Sequence, residues 1–166
     1  KNLKLRETIK IKNLSFAYKN KKLFSEFNLN INKGDLIGIE GKTGSGKTTL
    51  VELILGLQKR DKGEIFLDNK NIHEKNLFDL IEIGYVPQEI FLLNESLRNN
   101  LTFLSDLDQK VLQKSIECSE LSDLIKSLSK GLDTEIKENG KNISGGQKQR
   151  IGIARALYKK PEVLIL

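Results

Sequence analysis

The residues with the clearest chemical capacity are Gly41-Lys42-Thr43-Gly44-Ser45-Gly46-Lys47-Thr48. Glycines in such a turn let consecutive backbone N–H groups approach an anion, and a helix that starts there points its positive end at the same place. Lys47 adds a mobile point charge able to reach the outer phosphates of a nucleoside triphosphate. Thr48 places a hydroxyl at the spacing that holds a magnesium ion. A glycine-rich turn with an exposed lysine also arises by chance, so the flanking elements decide. Leu36-Ile37-Gly38-Ile39 reads as a strand before the loop, and Leu50, Leu53, Ile54 and Leu57 fall on one helix face after it. That context favours a phosphate-binding loop.

A second stretch, Asn142-Ile143-Ser144-Gly145-Gly146-Gln147-Lys148-Gln149-Arg150, has the makings of another helix N-terminus open to phosphate. Ser144 is a good N-cap, the paired glycines leave backbone accessible, and Ile151, Ala154 and Tyr158 continue a helical face. Taken alone it reads equally well as a plain capped helix.

These stretches need elements to position them. Ile9 and Ile11 alternate with lysines, Leu14-Ser15-Phe16-Ala17-Tyr18 follows, and Phe27, Leu29 and Ile31 alternate with polar residues. The pattern predicts antiparallel strands with one wet face. Lys33-Gly34-Asp35 turns the chain into Leu36–Glu40, whose more continuous apolar character suits a strand buried on both faces. Glu64-Ile65-Phe66-Leu67 and Ile83–Val86 predict further strands, the second ending at Pro87-Gln88. Leu112 with Ile116, then Leu121, Leu124, Ile125 and Leu128, recur at helical spacing, so about 90–158 reads mainly as helices. Val163-Leu164-Ile165-Leu166 closes the sequence as another buried strand. The order argues for an α/β core with a parallel sheet and a helical insertion between Gln88 and Tyr158.

Composition bounds the rest. The 166 residues, 38% apolar and 30% charged, suit one ordinary soluble domain. There is no apolar run of the roughly 20 residues that a membrane-spanning helix needs. The chain contains no methionine, so Lys1 is not an ordinary start and a longer parent is expected, with room for membrane spans. The single cysteine, Cys118, excludes an internal disulfide framework and is expected to be a small buried residue. A net charge of +6 would suit a membrane surface or nucleic acid. No dense basic run stands out, so the lysines read as scattered and solvated, and no nucleic-acid partner is expected.

Together the two motifs resemble the nucleotide-binding domain of ATP-binding-cassette (ABC) proteins, the first as its Walker A loop and Ser144-Gly145-Gly146-Gln147 as its signature. The resemblance implies a P-loop NTPase, RecA-like core. It would have a mainly parallel sheet, an antiparallel β subdomain on the N-terminal side and a helical subdomain between Q-loop and signature. It divides the single domain into an ATP-binding core, about 1–87 and 159–166, and a helical part, about 88–158. Tyr18 fits the family's aromatic position for stacking on adenine; alone it could be an edge-strand core residue. Gln88, in Tyr85-Val86-Pro87-Gln88, fits the Q-loop, which implies contact with the metal and the attacking water; in isolation it would be an exposed loop glutamine. The implied ligands are ATP and Mg2+. Gly41, Gly44, Ser45, Gly46, Lys47, Thr48 and Thr49 would lie against the triphosphate, and Thr48 and Gln88 would face the metal. Lys47 and Gln88 would serve the chemistry. In the family two such domains pair head to tail, with ATP between the loop of one and the signature of the other.

Asp133-Thr134-Glu135-Ile136-Lys137-Glu138-Asn139-Gly140 resembles the x-loop of exporter-type members, and Ser96-Leu97-Arg98-Asn99-Asn100-Leu101 the corresponding exporter segment. Out of that context the acidic residues would pass for a solvated loop. The expected parent is an exporter subunit on the cytoplasmic face of a membrane, its membrane domain preceding Lys1. A soluble ABC ATPase without a membrane partner and a regulatory nucleotide-binding module without turnover are the alternatives. Val163–Leu166 matches the apolar half of the Walker B strand. The family's magnesium-orienting aspartate and catalytic glutamate would follow it, so residues 1–166 are expected to be either a weak nucleotide binder deficient in hydrolysis or an incomplete fold. His73 is no substitute for the family's switch histidine and reads as a surface residue. The transported substrate is not readable, because membrane helices would select it.

Overall fold

The structure, a computed structural model, describes residues 3–19, 21–72 and 75–166. His73 lies outside the described residues. The chain forms two compact units that meet in sequence at Ile81 and Glu82.

In the first unit β1 (Thr8–Tyr18) and β2 (Lys21–Asn32) form a long antiparallel hairpin. The loop and α1 (Lys47–Leu55) follow, then β3 (Lys62–Leu67), β4 (Lys70–Asn71) and the short α2 (Leu77–Leu80). The sheet order is β2-β1-β3-β4. Its register follows the alternation: Ile9 sits opposite Ile31 and Leu67, and Ile11 opposite Leu29 and Ile65, so one face is apolar. Ile9, Ile11, Leu14, Ile65 and Leu67 are buried there, while Lys12 on the other face lies 5.0 Å from the Phe66 ring. Irregularities in the β1–β2 pairing free backbone amides on both strands that side chains then satisfy. Asn13 N–H donates to Asn28 Oδ1 at 3.0 Å and Glu26 N–H to Ser15 Oγ at 3.1 Å.

Two expectations fail in this unit or need trimming. Leu36–Glu40 is not a strand, and Leu36 is fully exposed while Ile37 and Ile39 are each 41% exposed. A strand exists through its ladder, and among the described residues no neighbour pairs with this segment. Leu50, Leu53 and Ile54 are buried as the periodicity predicts, yet Leu57 is exposed. Gly56 takes the left-handed conformation at φ 79° and ends α1 two residues earlier.

The second unit, Glu82–Leu166, joins a small parallel sheet to a helical cluster. Its elements are β5 (Ile83–Tyr85), α3 (Leu97–Thr102), α4 (Gln109–Cys118), α5 (Ser122–Ser127), α6 (Gly145–Tyr158) and β6 (Val163–Ile165). β5 and β6 pair in parallel, with Ile83, Gly84 and Tyr85 opposite Val163, Leu164 and Ile165. Leu97, Leu101, Leu112, Ile116, Ile151 and Ala154 form the helical core. The last strand forms where predicted but is not buried: Leu164 is 39% exposed and Leu166 is 71% exposed. A two-stranded sheet leaves an edge and part of a face uncovered. Cys118 is also exposed, against expectation, because the buried stripe of α4 runs through Leu112, Ser115 and Ile116 to Ser119.

Candidate functional site

The glycine-rich loop lies in the first unit between Glu40 and α1. Gly44 and Gly46 adopt φ of 77° and 96°, a region that side-chain-bearing residues avoid. Gly46 is the N-cap of α1, and the Leu50 N–H donates to its carbonyl at 2.8 Å. At a helix start of this kind the amides of Lys47, Thr48 and Thr49 have no intrahelical acceptor, so they are donors available to an anion. A Cβ on Gly46 would come within 3.2 Å of the Phe24 ring, which shows how closely the loop rests on β2. The Lys47 ammonium folds back over the loop and donates to the carbonyls of Gly41 at 2.7 Å and Lys42 at 3.2 Å. Ser45 and Thr48 are exposed and Thr49 is partly exposed. A side chain at Gly41 would strike Ser45 Oγ, 2.6 Å from the place its Cβ would take, so that turn is held tight.

Tyr18 ends β1, opposite Lys21, a short distance along the hairpin from the Phe16–Phe24 pair that meets Gly46. Its side chain is 61% exposed beside a shallow hollow of about 620 Å³ lined by Phe16, Lys19, Gln58, Lys59, Arg60 and Asp61. An open aromatic face with basic neighbours suits stacking by a flat heteroaromatic ring bearing phosphates.

The other candidates lie in the second unit. Gln88 is exposed just past the carboxyl end of β5, and Val86 N–H donates to the Ile165 carbonyl at 2.9 Å to extend the pairing. Ligand-binding groups of open parallel sheets gather at that end. Ser144 caps α6 through a reciprocal box. Gln147 N–H donates to Ser144 Oγ at 3.3 Å, and Ser144 N–H donates to Gln147 Oε1 at 2.8 Å. Gly145 and Gly146 are exposed, and a Cβ on either would meet no atom within 4 Å. The first turn of a 14-residue helix thus presents bare backbone to the outside.

Two segments that the sequence singled out separately turn out to be joined. Leu97 N–H donates to the Thr134 carbonyl at 2.9 Å, Ile136 N–H to the Glu95 carbonyl at 3.0 Å, and Arg98 pairs with Asp133 at 3.1 Å. Asn142 then fastens the segment to the signature: its amide donates to the Glu135 carbonyl, and its oxygen accepts from Lys137 N–H at 3.1 Å. Asn100 reads only as part of the segment 96–101, with no role of its own, and Arg155 is not singled out by sequence. Asn100 is fully buried and Arg155 is half-buried with its guanidinium donating to Asn100 and Phe91. Burial without an opposing acid pulls the Arg155 pKa below its usual value. A buried polar pair linked across 55 positions leaves no periodic trace in a sequence.

The family model described as "ABC transporter" matches residues 24–166. An ATP-dependent lipid A-core flippase of Syntrophus aciditrophicus is 38% identical over 165 residues, covering 98% of this chain and 28% of its own length. ABC transporter B family member 2 of Dictyostelium discoideum is 37% identical over 165 residues, covering 95% of this chain and 12% of its own. Among solved structures, a bacterial Atm1-family ABC exporter with ATP bound matches at TM-score 0.87 and 28% identity, over 98% of this chain and 29% of that one. The chain therefore spans less than a third of these relatives. Its fold is that of a P-loop NTPase, and with the family match across most of its length the chain belongs to the ABC transporter family.

Proposed function

We infer that this chain is the motor portion of an exporter-type ABC transporter, which binds ATP and couples its hydrolysis to movement of a substrate across a membrane. The observation that carries the reading is the loop before α1: left-handed Gly44 and Gly46, helix-start amides with no intrahelical acceptor, and the Lys47 ammonium folded over the same backbone. Positive charge and bare N–H groups converge where a triphosphate's charge would lie. Gly41, Gly44, Ser45, Gly46, Lys47, Thr48 and Thr49 hold the phosphates in this reading, and Tyr18 stacks on adenine. Lys47 exchanges the carbonyls of Gly41 and Lys42 for phosphate oxygens.

By resemblance magnesium is the ion that accompanies the nucleotide, and the donor chemistry of each residue by itself suits it. Thr48 and Gln88 offer neutral hard oxygens, the donors this ion takes when phosphates complete its shell. When bound, the ion neutralises charge on the outer phosphates. The open start of α6, Ser144 to Gln147, takes the phosphates held by a second copy or a second such domain, paired head to tail. A membrane domain ahead of Lys1 is supported by the share of the exporter-type relatives that this chain covers. In this reading the motor works at the cytoplasmic face of the membrane and has no role in nucleic-acid binding. About 1–87 with 159–166 act as the ATP-binding core and about 88–158 as the helical part.

The test is MgATP binding and phosphate release by the full-length protein beside its Lys47→Ala variant. Loss of the lysine should weaken ATP binding at least tenfold, about 1.4 kcal/mol, and abolish turnover. Binding and turnover that do not depend on Lys47 would refute the assignment.

A further inference from the structure

Arg155 is placed where a packing residue would serve stability more cheaply. Its guanidinium is half-buried, and its hydrogen bonds go to neutral oxygens. Nε–H donates to the Asn100 carbonyl at 2.9 Å, Nη1–H to the Phe91 carbonyl at 2.9 Å and Nη2–H to Asn100 Oδ1 at 3.2 Å, while the Phe103 ring lies 4.9 Å away. Charges removed from water without a counter-charge cost stability, and an apolar residue of similar volume would often cost less. What the guanidinium supplies instead is geometry: several donors in one rigid plane, each aimed at a different point of the backbone.

Those points belong to one segment. Asn100 is fully buried and grips residues 93–96 by both ends of its amide. Leu93 N–H donates to Asn100 Oδ1 at 2.8 Å, and Asn100 Nδ2–H lies within 3.3 Å of the carbonyls of Leu93, Glu95 and Ser96. Arg155 thereby holds the chain that leaves Gln88, from Phe91 to Asn100, against α6. Gly152 lies one turn nearer the start of α6, and a Cβ there would come within 2.6 Å of Ile90, so helix and segment touch without room to slide. Ser144 and Arg155 lie about 16 Å apart along the helix axis at its usual rise, and a hydrogen-bonded helix transmits axial displacement as a rod.

We propose that Arg155, seated by Asn100, is a positioning residue that locks the far end of the signature helix to the segment leaving Gln88, so that the two travel as one body. The proposal rests on the motor reading above. Gln88 then reaches its working position only when the start of α6 has met nucleotide, and loosening the latch lets α6 engage without carrying Gln88. The consequence falls on turnover and spares ATP capture by the Lys47 loop.

The experiment compares full-length wild type with Arg155→Lys, which keeps the charge and loses the fork, and Arg155→Met, which keeps the stem and loses every donor. ATP affinity, kcat and KM are measured, with kcat counted per ATP-binding molecule so that partial unfolding does not enter. Both variants should keep ATP affinity within about twofold and lose about tenfold in kcat. Asn100→Ala combined with Arg155→Met should be no slower than the worse single variant, as expected of groups acting as one unit. If kcat per ATP-binding molecule stays within about twofold of wild type in Arg155→Lys, the latch is refuted and Arg155 is a packing residue. Should Arg155→Met fail to fold, Arg155→Lys alone decides. Wild type lacking Lys47-dependent turnover removes the motor reading and the latch together, whereas normal wild-type turnover with unimpaired variants removes only the latch.

Discussion

The Asp68 carboxylate shows how one side chain can fix an otherwise loose stretch of backbone. It follows β3 in the left-handed conformation and accepts from the N–H groups of Arg6 at 2.8 Å, Glu7 at 2.7 Å and Thr8 at 3.0 Å. Partial burial pushes its pKa up, but the three amides and the charge of Arg6 together outweigh that and hold the carboxyl below its ordinary value. A group with a lowered folded pKa stabilises the native state above its unfolded pKa, and the contribution is lost as pH falls through the folded value. Asp68→Asn should therefore raise exchange of the Arg6, Glu7 and Thr8 amides about fivefold at neutral pH, roughly 1 kcal/mol after allowance for exposure. The difference from wild type should shrink below about pH 4. Hydrogen-exchange protection factors across that range check it; a difference independent of pH would mean that shape, not charge, holds the segment.

Elements are where local sequence and tertiary context agree or part. The start of α6 is legible because a capping box is written in four consecutive residues, and the structure makes both of its hydrogen bonds. Ser144→Ala should cost about 1 kcal/mol and speed exchange of the first-turn amides of α6 roughly fivefold. Gln147→Ala should add less than its own separate effect, because the two halves of the box depend on each other. Exchange at the Ala154 and Tyr158 amides should not change, and a change there would mean that the cap holds the whole helix. The β1–β2 hairpin is equally legible, since alternation is a local signal that fixes register. The end of α1 was not, although Gly56 stands beside Leu57: the apolar period continues past the residue whose left-handed backbone stops the helix. Nor was the Asn100–Arg155 contact. A buried asparagine that grips backbone on either side has no periodicity, and it can be told from a surface asparagine only once its neighbours have folded around it.

At the scale of the whole molecule, the failed reading of Leu36–Glu40 bears directly on the phosphate loop. The loop needs a stiff lead-in, and the five residues before it that read as buried strand expose Leu36 completely. Loss of an exposed leucine that touches nothing ordinarily changes stability by less than about 0.5 kcal/mol, so in residues 1–166 alone Leu36→Ser should leave the unfolding midpoint where it is. A contiguous apolar segment with unpaired backbone is nonetheless an edge on which another strand can form, and in isolation it favours association between copies. In the full-length protein, where the exporter-type relatives carry much more chain than this one, a strand laid beside Leu36–Ile39 would bury that side chain. Leu36→Ser should then cost about 2–4 kcal/mol and weaken ATP binding along with it, as the lead-in to Gly41 slackens. Denaturant unfolding and ATP titration of the same substitution in both lengths separate the cases. A cost that appears only in the longer protein would mean that the apolar pattern was read correctly and that the cover comes from outside these residues. No cost in either would mean that the loop is positioned by its packing on Phe24 and by the hairpin alone.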